Sequence, residues 1–267
     1  MKTYLAYFIL KFRVGLQYRA AAYAGILTQM FFGFIFAFVY IAFYDSNPGS
    51  VPMELHKLIS YVWLVQAFYA MLYLRHRDSE IVSMIKTGNI SYELVRPQNV
   101  YMMWFSKIMG DKLASVTLRF LPVLILTSFL PGALRLDLSI TLVRFIIFIP
   151  SFILAFVLII SFIVLMHVCM MFTLDDRGII GMFVTVAEIM AGVEIPLPFF
   201  PGFMRNISNF LPFRYMSDFP FRFYVGDISI PEGLISILVQ LVWIIILMVI
   251  GKLLMKKALS KATIQGG

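Results

Sequence analysis

Arg144-Phe-Ile-Ile-Phe-Ile-Pro-Ser-Phe-Ile-Leu-Ala-Phe-Val-Leu-Ile-Ile-Ser-Phe-Ile-Val-Leu-Met-His-Val-Cys-Met-Met-Phe-Thr173 decides the fold class of this chain. After Arg144 the run holds no Asp, Glu, Lys or Arg, and its one histidine is His167. About 20 apolar residues at a rise of ~1.5 Å each suffice to cross a ~30 Å hydrocarbon core as a helix. The same measure, carried outward, places six spans at roughly 22–44, 57–74, 108–130, 144–173, 178–199 and 233–255. The composition agrees. Of 267 residues, 61% are hydrophobic and 13% charged, with a mean hydropathy of +0.90. A soluble domain carries roughly a quarter charged residues, so the apolar excess must face lipid. The expected fold is an all-α integral membrane protein, a single domain over residues 1–267.

The formal charge of +8 does not mark a nucleic-acid binder. Its cations flank the apolar spans, where the positive-inside rule accounts for them. Lys57, Arg135, Arg144, Arg205, Arg214 and Arg222 fall on one side and Arg119 inside the third span. The other 15 of the 22 Lys and Arg residues fall on the side of the N-terminus. Both termini are therefore expected in the cytoplasm. Cys169 stands alone, which excludes an intrachain disulfide. Lys2, Lys11, Arg13 and Arg19 precede an apolar run too long for the core of a cleavable signal, so that run is expected to stay as an anchor.

Three segments outside the spans carry information. Residues 1–21 are expected to form an interfacial helix, with Tyr4, Leu5, Phe8, Ile9, Phe12 and Leu16 on one face. The cytoplasmic loop 75–107 holds a short helix, N-capped by Asp78 or Ser79 and stopped at Gly88 or Asn89. Asn99 caps the helix that follows Arg96-Pro97. Ile81, Met84 and Ile85 form an apolar patch at i, i+3, i+4 spacing, to be covered by the membrane surface, a neighbouring span or a partner protein. Residues 193–232 are dense in aromatics, yet Pro196, Pro198, Pro201, Pro212 and Pro220 forbid a continuous helix. That segment is expected to dip back into the outer leaflet as broken helices packed on protein.

The sequence lacks a Gly-rich phosphate loop, a His-Glu-x-x-His pair and a Gly-x-Ser-x-Gly elbow. His56, His76 and His167 fall in three different places, and no metal site is expected. An enzyme is disfavoured. Among ionisable groups placed in the bilayer, Glu188 falls near the midplane with Arg119 as candidate partner. Such a carboxylate serves either a translocation path or helix packing. Glu194 sits near the outer end of its span, and Asp175-Asp176-Arg177 reads as a turn.

Two stretches resemble a known family: Ile85-Lys-Thr-Gly-Asn-Ile-Ser-Tyr-Glu-Leu-Val-Arg-Pro97, and Gly192-Val-Glu-Ile-Pro-Leu-Pro-Phe-Phe-Pro201 with Leu211-Pro-Phe-Arg214 and Phe219-Pro-Phe-Arg-Phe-Tyr224. With the interfacial helix and the six spans, they are similar to type-2 ABC exporter permeases, the membrane halves of ATP-binding-cassette exporters. The resemblance implies a bacterial inner-membrane protein paired with a second permease chain, the same or related. Two separate ATPase subunits would bind ATP and Mg, with no cofactor on this chain. It assigns coupling to Asp78, Ile81, Met84, Ile85, Lys86 and Arg96, the apolar patch sitting in an ATPase groove. Their positions inside the spans make Glu188 and Arg119 the candidate translocation path, and the stretch resembling the outer gate points to Glu194, Pro196, Phe199 and Phe200. The cargo would be a drug, an antimicrobial peptide or a lipid-like amphiphile. Two other readings stand beside it: a secondary transporter using Glu188, and a membrane assembly or immunity subunit that transports nothing.

Overall fold

The computed structural model describes residues 2–46, 51–90, 93, 98–173 and 178–261, and among these every regular element is a helix. In chain order they are α1 (Lys2–Gly15), α2 (Arg19–Ser46), α3 (Leu55–Ala67), the single turn α4 (Tyr69–Leu72), α5 (Ser79–Thr87) and α6 (Val100–Ser128). There follow α7 (Leu142–Thr173), α8 (Ile179–Met190), α9 (Gly202–Phe210), α10 (Asp218–Tyr224) and α11 (Ile230–Lys261). Three of them, α2, α7 and α11, are long and apolar enough to cross a membrane.

The other three expected spans depart from that standard, each for its own reason. The stretch 57–74 breaks at Phe68, whose backbone leaves the helical region (φ −101°, ψ 11°). The break lets the Phe68 ring meet Phe152 of α7 at 4.7 Å between centroids and Phe221 of α10 at 5.8 Å. Aromatic pairs of this kind add about 0.5–1.5 kcal/mol beyond burial. Helix α6 is 29 residues long but includes Lys107, Asp111, Lys112 and Arg119. Helix α8 has 12 residues, since Gly192 turns the chain at φ 76° well short of residue 199.

The core lies where α7 packs on α11 and on α10. Gln240 of α11 is fully buried and donates to the carbonyls of Ser151 (3.1 Å) and Tyr215 (3.0 Å). One amide thereby joins α7, α11 and the broken segment. Helix α1 lies along the first turns of α6, brought close by small residues. A Cβ on Gly110 would fall 2.6 Å from the Phe8 carbonyl oxygen, so only glycine permits this approach. Helix α1 ends at Gly15, sooner than the expected residue 21, and Asn99 N-caps α6 through Met102 N–H. Residues 193–229 form two short helices and two 3₁₀ turns. The rings of Phe219, Phe221 and Phe223 are fully buried among them.

Candidate functional site

Helix α5 is defined at both ends by its own sequence. The Asp78 carboxylate accepts from the N–H groups of Glu80 and Ile81, both at 3.0 Å, satisfying two of the free donors at a helix start. Gly88 closes the helix in the left-handed region, φ 72°. The same carboxylate takes the buried Lys107 ammonium of α6 at 2.6 Å. Lys107 also bonds Glu80, and Lys11 of α1 reaches Glu80 at 2.9 Å. Two lysines and two carboxylates thus pin α1, α5 and α6 together. The Lys107 hydrogen bond, with Lys11 adding to it, holds the Glu80 carboxyl below its usual range against the opposing effect of burial. His167 of α7 accepts the Asp78 N–H at 3.2 Å and, through Nδ1–H, donates to the Ile163 carbonyl at 2.8 Å. Both contacts are satisfied by one neutral tautomer.

This anchoring turns the apolar patch inward, which corrects the expectation for it. Ile81 and Ile85 are buried and Met84 half-buried, against the chain's own core. Of the three covers the pattern allowed, the chain's own neighbouring helices bury Ile81 and Ile85. The face left outward is polar: Ser79, Glu80, Ser83, Lys86 and Thr87. Arg96 and the turn Asp175-Asp176-Arg177 lie outside the described residues.

Glu188 does not meet Arg119. It stands in the last turn of α8 and pairs with Arg75 at 3.0 Å, while Arg75 also donates to Thr185 Oγ1 at 2.8 Å. The two partners come from opposite ends of the sequence interval, so spacing alone could not have matched them. The Arg75 pairing speaks against an open carboxylate that binds a transported ion.

Arg119 lies instead in a cavity of about 320 Å³ between α2, α4 and α6, shared with Gln29, Tyr69, Lys112 and His76. A second cavity, about 170 Å³, continues from Gln29 and Tyr69 past Phe32, Phe36 and Gln66 to Glu194. Together they make one groove from the α5 end of the molecule to the start of the broken segment. Burial, reinforced by Lys112, pushes the His76 imidazole down to about 3. The 3.5 Å approach of its Nε2 to Asp111 is therefore not an ion pair at neutral pH.

Two of the four expected gate residues, Glu194 and Pro196, line one small pocket that Tyr40 of α2 also lines. Glu194 is exposed and faces the groove, and Pro196 is buried beside it. Phe199 packs on Tyr40 and Phe43 of α2, with centroids at 5.5 and 6.1 Å. Phe200 is buried.

The group the sequence reading missed is Asp218. It is fully buried, accepts from the Leu197 N–H at 3.1 Å and pairs with Arg222 at 3.2 Å. Arg222 in turn holds Asp227 at 2.7 Å. The available signal was an Asp four residues before an Arg inside an aromatic run.

With this geometry in place, the comparisons can be stated. The model of a family described as ABC-2 family transporter protein matches residues 34–266. No curated protein matches the chain.

Proposed function

The chain belongs to the ABC-2 family of transporter membrane proteins, and from that premise we propose that it is the permease of an ATP-driven exporter, energised by a separate ATPase. The observation that carries this reading is α5: a short helix capped at both ends, apolar side inward, polar side outward, and ion-paired to α1 and α6. Such an element is stiff enough to pass a push from a cytoplasmic partner into two other helices at once. Its outward face, Ser79 to Thr87, is the docking surface in this reading.

Six crossings fit the architecture when α3 with α4, α6 and α8 are counted with the three long apolar helices. Their charges then turn to the protein or the groove, where irregular and polar groups are tolerated. Both termini are cytoplasmic, α1 lies at the headgroups of a bacterial inner membrane, and the broken segment forms the outer gate. A second permease chain, the same or related, completes the path. ATP binding would then bias a two-state packing of the two bundles.

Purification of the tagged full chain from its native cell in mild detergent, with mass spectrometry of its companions, tests the proposal. An ATP-binding subunit near one-to-one is expected. Ser83→Arg, a bulky cation on the outward face of α5, should leave the permease intact and release that subunit. Undiminished retention sinks the docking face. Purification without any ATPase sinks the exporter reading.

A further inference from the structure

The groove carries a guanidinium with no Asp or Glu among the described residues that line its cavity. Arg119 is half-buried, and its Nε is sealed from solvent without a hydrogen-bond partner among the described residues. Its one hydrogen bond, to the Ala21 carbonyl, is stretched to 3.5 Å. Space for the guanidinium is built into α2: a Cβ on Gly25 would fall 2.9 Å from Cζ and Nε of Arg119. The cavity that receives it is also lined by Lys112, Gln29, Ser115, Tyr69 and the neutral His76, and no Asp or Glu lines it. Lys112 donates to the carbonyls of Ala70 and Tyr73, at 3.0 and 2.5 Å, and so closes the end of α4 while placing a donor group in the cavity wall. A guanidinium is always charged, and its planar fork suits a carboxylate or a phosphate. An uncompensated one in a low-dielectric setting is costly.

Depth and surroundings extend the argument. Ala114 marks where α1 ends against α6, its Cβ meeting Gly15. Arg119 lies five residues further, about 7 Å along the axis. With α1 at the headgroups, this places the guanidinium at the inner edge of the headgroup region, where glycerol meets the acyl chains, short of the midplane. Directly beyond it the groove turns apolar, along Phe32 and Phe36.

We infer that the cavity around Arg119 and Lys112 binds the oxyanion headgroup of an amphiphile drawn from the inner leaflet, its apolar body lying along α2. The inference rests on the permease reading for the depth of the site, but its test needs no ATPase. Failure to bind leaves that reading standing, and failure to recruit an ATPase leaves the site standing.

The full chain in a neutral detergent is titrated against fluorescent phosphatidylglycerol by anisotropy. Unlabelled phosphatidylglycerol, diacylglycerol and inorganic phosphate serve as competitors. Unlabelled phosphatidylglycerol should compete, and diacylglycerol, which lacks the phosphate, should be about tenfold weaker. Arg119→Gln should weaken binding by about tenfold, since a charge-assisted contact is lost. Arg119→Lys should bind more tightly than Arg119→Gln, and the exposed, distant Arg135→Gln should bind as wild type. If Arg119→Gln does not fold, Gly25→Ala displaces the guanidinium while keeping it, and should weaken binding in the same direction. Unchanged binding in folded Arg119→Gln or Gly25→Ala, or equal competition by diacylglycerol, overturns the site. Competition by inorganic phosphate as strong as by the lipid overturns the amphiphile in favour of a free oxyanion.

Discussion

The two ends of this bundle are held by opposite means. At the α5 end the fixing groups are charged side chains, one pair buried and the others near water: Lys107 meets Asp78 at 4% and 10% side-chain exposure, while Glu80, 59% exposed, is gripped by Lys11 and Lys107. At the other end they are the rings of Phe219, Phe221 and Phe223, all at 0% exposure, on the same short helix as an equally buried Asp218. Ion pairs near solvent contribute ~0–1 kcal/mol each and re-form cheaply. A close-packed aromatic core yields only by switching as a whole. The contrast assigns small, graded movement to the α5 end and an all-or-none change to the broken segment.

The largest effect should come from the buried carboxylate. Asp218→Ala leaves the Leu197 N–H without its acceptor and leaves Arg222 with Asp227 alone. Removing one member of a buried, hydrogen-bonded ion pair costs about 4 kcal/mol. Thermal unfolding of the detergent-solubilised chain should show it. A loss below about 1 kcal/mol, the size of a surface pair, would put both ends on the same footing and break the comparison.

Lys107→Met tests the other end. Its loss should be smaller, about 2 kcal/mol, because Asp78 keeps its two N–H donors and Glu80 keeps Lys11. The sharper readout is local. Amide hydrogen exchange should accelerate in α5 while α10 stays protected. Equal acceleration in both helices would mean that the two ends are one cooperative unit.

How much of this was legible in the sequence depended on the range of the forces involved. The long helices α2, α7 and α11 follow from apolar length alone, and the caps of α5 and α6 follow from Asp78, Gly88 and Asn99, which act within a few residues. The direction in which Ile81 and Ile85 point was not legible. An i, i+3, i+4 stripe says that a face is apolar, not which neighbour covers it. Glu188 was assigned the wrong arginine because Arg75 is 113 residues away, and pairing at that distance is decided by where the segment after α4 lies against α8. The break at Phe68 was also hidden, since the stretch 57–74 is uniformly helix-compatible. It is the Phe152 and Phe221 rings that give the broken geometry its advantage. Arg119 was legible as unusual but not as unanswered, because the absence of an acidic partner appears only once the groove is assembled.

The smallest effect, and the one that separates the groups at the α5 end, is its pH dependence. Two titrations with different windows act there. Glu80 is held below its ordinary value, so its contribution is complete above the undocked carboxyl value of about 4.3. It is lost as pH falls through the lower, docked value. His76 is pushed down to about 3 by burial, so the docked state excludes a proton that the exposed imidazole takes up near pH 6.5. Docking should therefore weaken as pH falls from about 6.5, by at most ~1.4 kcal/mol per unit, and further below about 4.3. Exchange protection of the α5 amides, corrected for the intrinsic rate, reads both windows. His76→Gln carries no charge at any pH, so it should shrink the upper window, leaving the share of His167, whose unprotonated Nε2 accepts the Asp78 N–H, and leave the lower window in place. If the upper window is undiminished by that substitution, His76 does not drive it. If protection is flat from pH 7 to 4 in the wild-type chain, α5 does not open as a separate unit, and the graded movement assigned to this end is lost with it.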